Sequence, residues 1–175
     1  TFGPESKETR AAIADIDDQI ATLWRSIQSL NVNADAQISL LLLSDHGMAE
    51  VDPEAFIDTN DLPRPQGFKR MNGSTRVTYY QRDPEADLAA LARELDELAD
   101  GRYWRVTPDT LAERHFVDHP AVGQIIVETA PPRVFRHGGG TRADLRGMHG
   151  YPDDVEDMAA FLVAVGPGFH SGLVI

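Results

Sequence analysis

Between residues 7 and 30 the apolar positions Ile13, Ile16, Ile20, Leu23 and Ile27 recur at steps of three and four, while Asp15, Asp17, Asp18 and Arg25 take the other side. That period predicts one amphipathic helix, with Pro4 and Ser6 marking its start. A polar break from Asn31 to Ala36 follows. Ile38 to Leu43 is then apolar apart from Ser39 and shows no two-residue alternation. Such a run suits a strand covered on both faces, and helix followed by strand is half of a doubly wound parallel unit. Ligands of such sheets collect just past the carboxyl ends of the strands, a position held here by Ser44, Asp45, His46 and Gly47.

From Val51 to about Gly147 the elements shorten and prolines accumulate, the texture of an inserted lobe. Arg76 to Tyr80 reads as a strand. Asp83 can cap a helix with Pro84 at its first position, Leu88, Leu91, Leu95 and Leu98 as its apolar stripe, and Asp100 with Gly101 at its end. Tyr103 to Val106 and Gln124 to Glu128 read as two further strands, with a helical turn from Pro108 to Arg114 between them. Arg133 to Arg146 has no apolar period and reads as a loop. Phe161 to Val165, closed by Gly166, Pro167 and Gly168, is a second buried-type strand expected to rejoin the sheet begun at Ile38.

Composition narrows the chemistry. The chain of 175 residues is 42% hydrophobic and 25% charged, within the range of folded globular proteins. Its 28 acidic against 16 basic residues give a formal charge of −12, a field that repels nucleic-acid polymers. Small phosphate esters stay open, because a bound dication reverses the local field. With no cysteine there can be no disulfide, thiolate zinc site or cysteine nucleophile, so a metal would rest on His and carboxylate. No apolar stretch approaches the roughly 20 residues of a membrane-spanning helix.

Asp45 and His46 lie where strand geometry stops, which is where adjacent side chains can reach one ion, and Gly47 gives the backbone freedom to turn. Imidazole and carboxylate suit zinc or manganese when thiolates are absent. The alternative is a turn cap by Asp45 with His46 exposed. His149, in Gly147-Met148-His149-Gly150-Tyr151, is by itself an ordinary loop histidine and gains weight only with Asp45 and His46. His115 and His119 have the four-residue spacing of a helical metal pair, but Pro120 follows and no carboxylate matches. Gly138 to Gly140 lacks the strand, Lys-Ser/Thr pair and helix of a P-loop. Ser44 lacks the Gly-x-Ser-x-Gly context of a nucleophile and reads as a hydrogen-bonding or packing residue.

Leu40 to Met48, ending Ser44-Asp45-His46-Gly47-Met48, resembles the strand end of the nucleotide pyrophosphatase/phosphodiesterase family of the alkaline phosphatase superfamily. His149-Gly150-Tyr151, with Met158 and then Phe161 to Phe169 containing Gly166-Pro167, is similar to the same family's next block. Gly3-Pro4-Glu5-Ser6 and the helix containing Asp17 resemble its Gly-Pro segment. The blocks occur in the family's order, and the stretch from Val51 to Gly147 matches loosely.

The resemblance implies an α/β fold, a partial alkaline-phosphatase-like sheet flanked by helices, with residues 1–50 and 148–175 in the metal-binding core and 51–147 as an inserted small α+β lobe. It implies hydrolysis of phosphodiester or pyrophosphate bonds at two divalent ions, zinc in the family, with Asp45 and His46 binding one and His149 the other. The family's threonine nucleophile, first aspartate ligand and Asp-x-x-x-His pair precede the Gly-Pro segment, and the chain opens at Thr1 inside that motif. The expectation is therefore a C-terminal portion with no catalytic nucleophile of its own, inactive alone. Its partners would be a small phosphodiester or nucleotide and the missing N-terminal half, with a homodimer through exposed sheet surface as a further option. A phosphonoacetate hydrolase or another phosphohydrolase of the superfamily is the nearest alternative; a non-catalytic α/β interaction domain is the alternative of a different kind. The compartment is not legible, though the resemblance leans to an extracytoplasmic one.

Overall fold

The computed structural model describes residues 2–33, 37–116, 119, 121–137 and 144–174. In chain order its elements are α1 (Lys7–Asn33), β1 (Leu40–Leu43), β2 (Ala49–Glu50), β3 (Phe56–Asp58), β4 (Phe68–Asn72), β5 (Arg76–Gln81), α2 (Leu88–Ala99), β6 (Trp104–Arg105), α3 (Pro108–Glu113), β7 (Ile125–Glu128), β8 (Val134–Arg136), β9 (Gly147–Met148), a single 3-10 turn (Glu156–Met158) and β10 (Leu162–Val165).

Ser6 begins α1 as expected: its hydroxyl accepts from the backbone N–H of Thr9 at 3.1 Å, and the Thr9 hydroxyl donates to the carbonyl of Gly3 at 2.9 Å. The helix's apolar stripe remains open, with Ile13 61% and Leu23 51% exposed, and only Ile27 is buried. β1 pairs with β10, as the sequence suggests, but the pairing is antiparallel, with Leu40 opposite Val165 and Leu43 opposite Leu162. The expectation of a strand covered on both faces is also corrected. Leu41 and Leu43 are exposed while Leu40 and Leu42 are half-buried, so the two-stranded β1–β10 sheet is partly covered on one face and open on the other.

The larger core cluster lies between Ile57 and Phe135. An antiparallel sheet of order β4-β5-β7-β6 carries α2, whose Leu91 and Leu95 pack with Val77, Tyr79, Val127 and Tyr103. α2 begins later than expected, with Asp87 rather than Asp83 as its cap, accepting from the Ala90 N–H at 2.8 Å. Asp83 is held elsewhere: its N–H donates to the Gly67 carbonyl, and its side chain accepts from Glu85 N–H in a separate turn. Asp100 closes the helix in the left-handed region at φ 44°, followed by Gly101 at φ 67°. Arg133 to Arg146 is not wholly a loop, since β8 pairs in parallel with β3.

A second, smaller cluster of Ala49, Val51, Val134, Leu145 and Tyr151 packs with Met148, Val155 and Met158. Within it β2 pairs with β9, Ala49 opposite Met148. This cluster ties the segment after β1 to the loop carrying His149.

Candidate functional site

Ser44 extends the β1–β10 ladder past its last paired residue. Its N–H donates to the Phe161 carbonyl at 3.1 Å, and its hydroxyl accepts from the Phe161 N–H at 3.0 Å. The chain then leaves the strand, so Asp45 and His46 project together from the tip. Asp45 accepts from the His46 N–H at 3.1 Å through one carboxylate oxygen and places the other 3.4 Å from His46 Nε2. His46 Nδ1 lies 2.7 Å from the carbonyl oxygen of Gly47.

That last contact orients the ring. A carbonyl only accepts, so Nδ1 is the nitrogen that donates to Gly47, and Nε2 is the one turned toward the Asp45 carboxylate. An imidazole nitrogen and a carboxylate facing each other in this way can share a cation, either a proton or a metal ion. His149 arrives from the loop after β9, and its ring stacks on that of His46 with centroids 3.9 Å apart and planes 15° from parallel. The structure thus brings all three sequence-derived residues to one place. The rings lie side by side, and among the described residues no group of three or more His, Asp or Glu is arranged around a single ion. The donor types suit a divalent cation; three donors in this arrangement do not enclose one.

The backbone beneath is tightly fitted. Gly47 N–H donates to the Met158 carbonyl at 3.1 Å, and a Cβ on Gly47 would stand 2.0 Å from the carbonyl oxygen of Asp157. Gly3 lies against Arg146, where a Cβ would come within 3.1 Å of its carbonyl oxygen, and Gly147 approaches Met48 and Phe2. The Gly3, Ser44 to Met48 and His149 segments therefore meet in space.

These segments also match a known family. The family model described as type I phosphodiesterase / nucleotide pyrophosphatase covers residues 1–152. The chain belongs to the type I phosphodiesterase/nucleotide pyrophosphatase family. Among its relatives is the human ectonucleotide pyrophosphatase/phosphodiesterase family member 7, 25% identical over 183 residues, covering 99% of this chain and 38% of the relative. Murine ectonucleotide pyrophosphatase/phosphodiesterase 5 superposes with a TM-score of 0.75 at 18% identity, over 94% of this chain and 43% of that one. An inactive form of the murine protein in complex with AMP gives a TM-score of 0.72 at 20% identity, over 94% and 42%. The chain thus spans less than half the length of these phosphodiesterase/nucleotide pyrophosphatase relatives, with which it shares the α/β fold.

Other sequence candidates fall elsewhere. α3 ends at Glu113, so His115 and His119 do not share a helix. His115 sits at φ 59°, and His119 Nδ1 accepts from the Ala121 N–H at 3.2 Å. Both line a cavity of about 760 Å³ walled by Tyr80, Phe116 and Tyr151. Gly138 to Gly140 lie outside the described residues. Sequence reasoning missed Glu128, which is 2% exposed and accepts from Arg114 at 2.9 Å, with Arg76 at 3.4 Å. The Glu128 hydrogen bond holds the Arg114 guanidinium above its usual pKa. The available signal was a lone carboxylate closing the apolar run Ile125 to Val127 in a strand buried along its whole length.

Proposed function

We propose that this chain supplies part of the metal-binding face of a phosphodiesterase/nucleotide pyrophosphatase that hydrolyses phosphodiester or pyrophosphate bonds at two divalent ions. The observation that supports it is the stack of His46 on His149 beside the Asp45 carboxylate at the tip of β1. Two parallel imidazoles suit two neighbouring ions better than one. Asp45 and His46 would hold the first and His149 the second. Zinc, the family's usual ion, would neutralise phosphoryl oxygens and favour ionisation of the attacking group.

This chain's own residues hold and orient. The Gly47 carbonyl orients the His46 ring through Nδ1, Asp45 brings the negative charge that favours a dication, and Ser44 keeps both at the end of the β1–β10 ladder. The nucleophile and the remaining ligands belong to another part of the same protein. The exposed stripe of α1 and the open β1–β10 pair are where that part would pack. In this reading residues 1–50 and 148–175 form the core and 51–147 the lobe. The substrate is a small phosphodiester or nucleotide, in keeping with the AMP complex of the murine relative and with a charge of −12 that disfavours polyanions.

Calorimetric titration with zinc and an aryl-phosphodiester assay test this. The chain alone should bind zinc more weakly than micromolar and show no turnover, whereas the protein extended to the length of its relatives should do both. Asp45→Asn and His149→Ala should each abolish activity in the extended protein. Full activity in either variant, or tight zinc binding by the chain that neither substitution weakens, would overturn the assignment. Diesters, monoesters and phosphonates compared side by side separate this activity from its superfamily relatives.

A further inference from the structure

The loop that carries His149 is fastened from the lobe side. The Thr75 hydroxyl, on a residue 6% exposed between β4 and β5, donates to the Gly150 carbonyl at 2.6 Å. Thr75 is itself fixed, because its carbonyl accepts from the Thr129 N–H at 3.1 Å just past β7. Gly150 adopts φ 84°, and a Cβ there would stand 3.3 Å from the Thr75 oxygen, so the loop turns over that hydroxyl with little space to spare. One residue on, the buried Tyr151 donates its hydroxyl to the Arg133 carbonyl at 2.8 Å, next to β8. Two residues further, Asp153 faces Arg114 Nε at 3.3 Å, the same arginine that Glu128 holds.

We propose that Thr75 and Tyr151 are positioning residues through which the inserted lobe holds His149 in register with His46. Neither hydroxyl acts on the imidazoles directly: Thr75 holds the Gly150 carbonyl, and Tyr151 ties the residue after Gly150 to the Arg133 carbonyl. Without the Thr75 bond the Gly150 carbonyl must find another donor, and the freedom of a left-handed glycine lets the preceding residue swing. The lobe then does more than decorate the core: its sheet sets where one of the two imidazoles stands.

The inference rests on the proposed role of His149 for its purpose, but its test does not. Proton NMR of the histidine rings, recorded without metal, reads the stack directly: the difference between the His149 resonances of the wild type and of His46→Ala measures what the neighbouring ring contributes. Thr75→Val should lose more than half of that difference, and Thr75→Ser, which restores the hydroxyl, should regain it. Tyr151→Phe, a change of one oxygen at a separate anchor, should also reduce it. Leu95→Ala weakens the other core and should leave it unchanged. If Thr75→Val fails to fold, Tyr151→Phe carries the test. A folded Thr75→Val, or failing that Tyr151→Phe, with wild-type His149 resonances would overturn the proposal; so would an equal effect in Leu95→Ala. Zinc titration of the same proteins reports separately on the metal assignment.

Discussion

Gly47→Ala is the sharpest perturbation the structure offers, because the cost can be located. The new Cβ would stand 2.0 Å from the Asp157 carbonyl oxygen, 2.9 Å from its carbonyl carbon and 3.0 Å from the Ala159 oxygen. Tolerable carbon–oxygen contacts begin near about 3.3 Å, so the turn at Glu156–Met158 must retreat by more than about 1 Å. That retreat breaks the Gly47 N–H bond to Met158, worth about 1 kcal/mol, and strains a packed turn by about 1–3 kcal/mol more. The expected loss is about 2–4 kcal/mol, read as a lower urea midpoint at unchanged slope. Gly101→Ala is the matched control. Nothing lies within 4 Å of its Cβ position, but φ is 67°, so only the left-handed backbone is penalised, at about 1–2 kcal/mol. Gly47 is not among the positive-φ glycines, so its requirement is space. If Gly47→Ala lies within about 1 kcal/mol of wild type, or proves milder than Gly101→Ala, the close approach of the turn to the strand tip is wrong. The same retreat would disturb the carbonyl that holds His46 Nδ1, so the His46 ring resonances should move in Gly47→Ala and stay fixed in Gly101→Ala.

Arg114→Met should cost about 3–5 kcal/mol, because it leaves the buried Glu128 carboxylate with only the longer Arg76 contact; denaturation of the double variant with Glu128→Met should recover much of that loss. Leu95→Ala, at a side chain with no exposed surface, should cost about 2–5 kcal/mol by chemical denaturation. Burial raises both Tyr103 and Tyr151 from 10.0 to about 12. The unfolded chain therefore releases those protons first, and stability complete below pH 10 should fall as pH rises toward 12. Tyr103→Phe should blunt that fall in pH-dependent melting, and a flat profile over the same window would contradict it.

The sequence disclosed the elements whose cause is local. The period of α1, the Ser6 start, the Leu91 and Leu95 stripe and the Asp100-Gly101 stop are all written within a few residues of where they act. The convergence of Asp45, His46 and His149 was suggested by motif order, not by any local pattern, and the stack itself is a tertiary fact. What escaped notice depended on distant partners. β3 and β8 are three residues each and exist because they pair with one another, so neither has enough length to show a period. The Asp83 cap failed because Asp83 closes a separate turn, its side chain accepting from the Glu85 N–H and its carbonyl from the Ala86 N–H, one turn before the helix begins at Asp87. The apolar run in β1 was read as buried on both faces, since a sequence reports what a strand can tolerate and not which neighbours stand beside it.

The pairing of β1 with β10 also constrains the order of events when the protein is made. The ladder that holds Asp45 and His46 at the strand tip includes a bond between Ser44 and Phe161, 117 residues apart. A ribosome exposes Leu40–Leu43 long before Leu162–Val165, and the β4–β5 hairpin, with its local antiparallel ladder, has the opportunity to form in the interval. During that time a leucine-rich strand waits without a partner, a target for chaperones and for aggregation. The strand tip that carries Asp45 and His46 is thus completed only once Leu162–Val165 has been made.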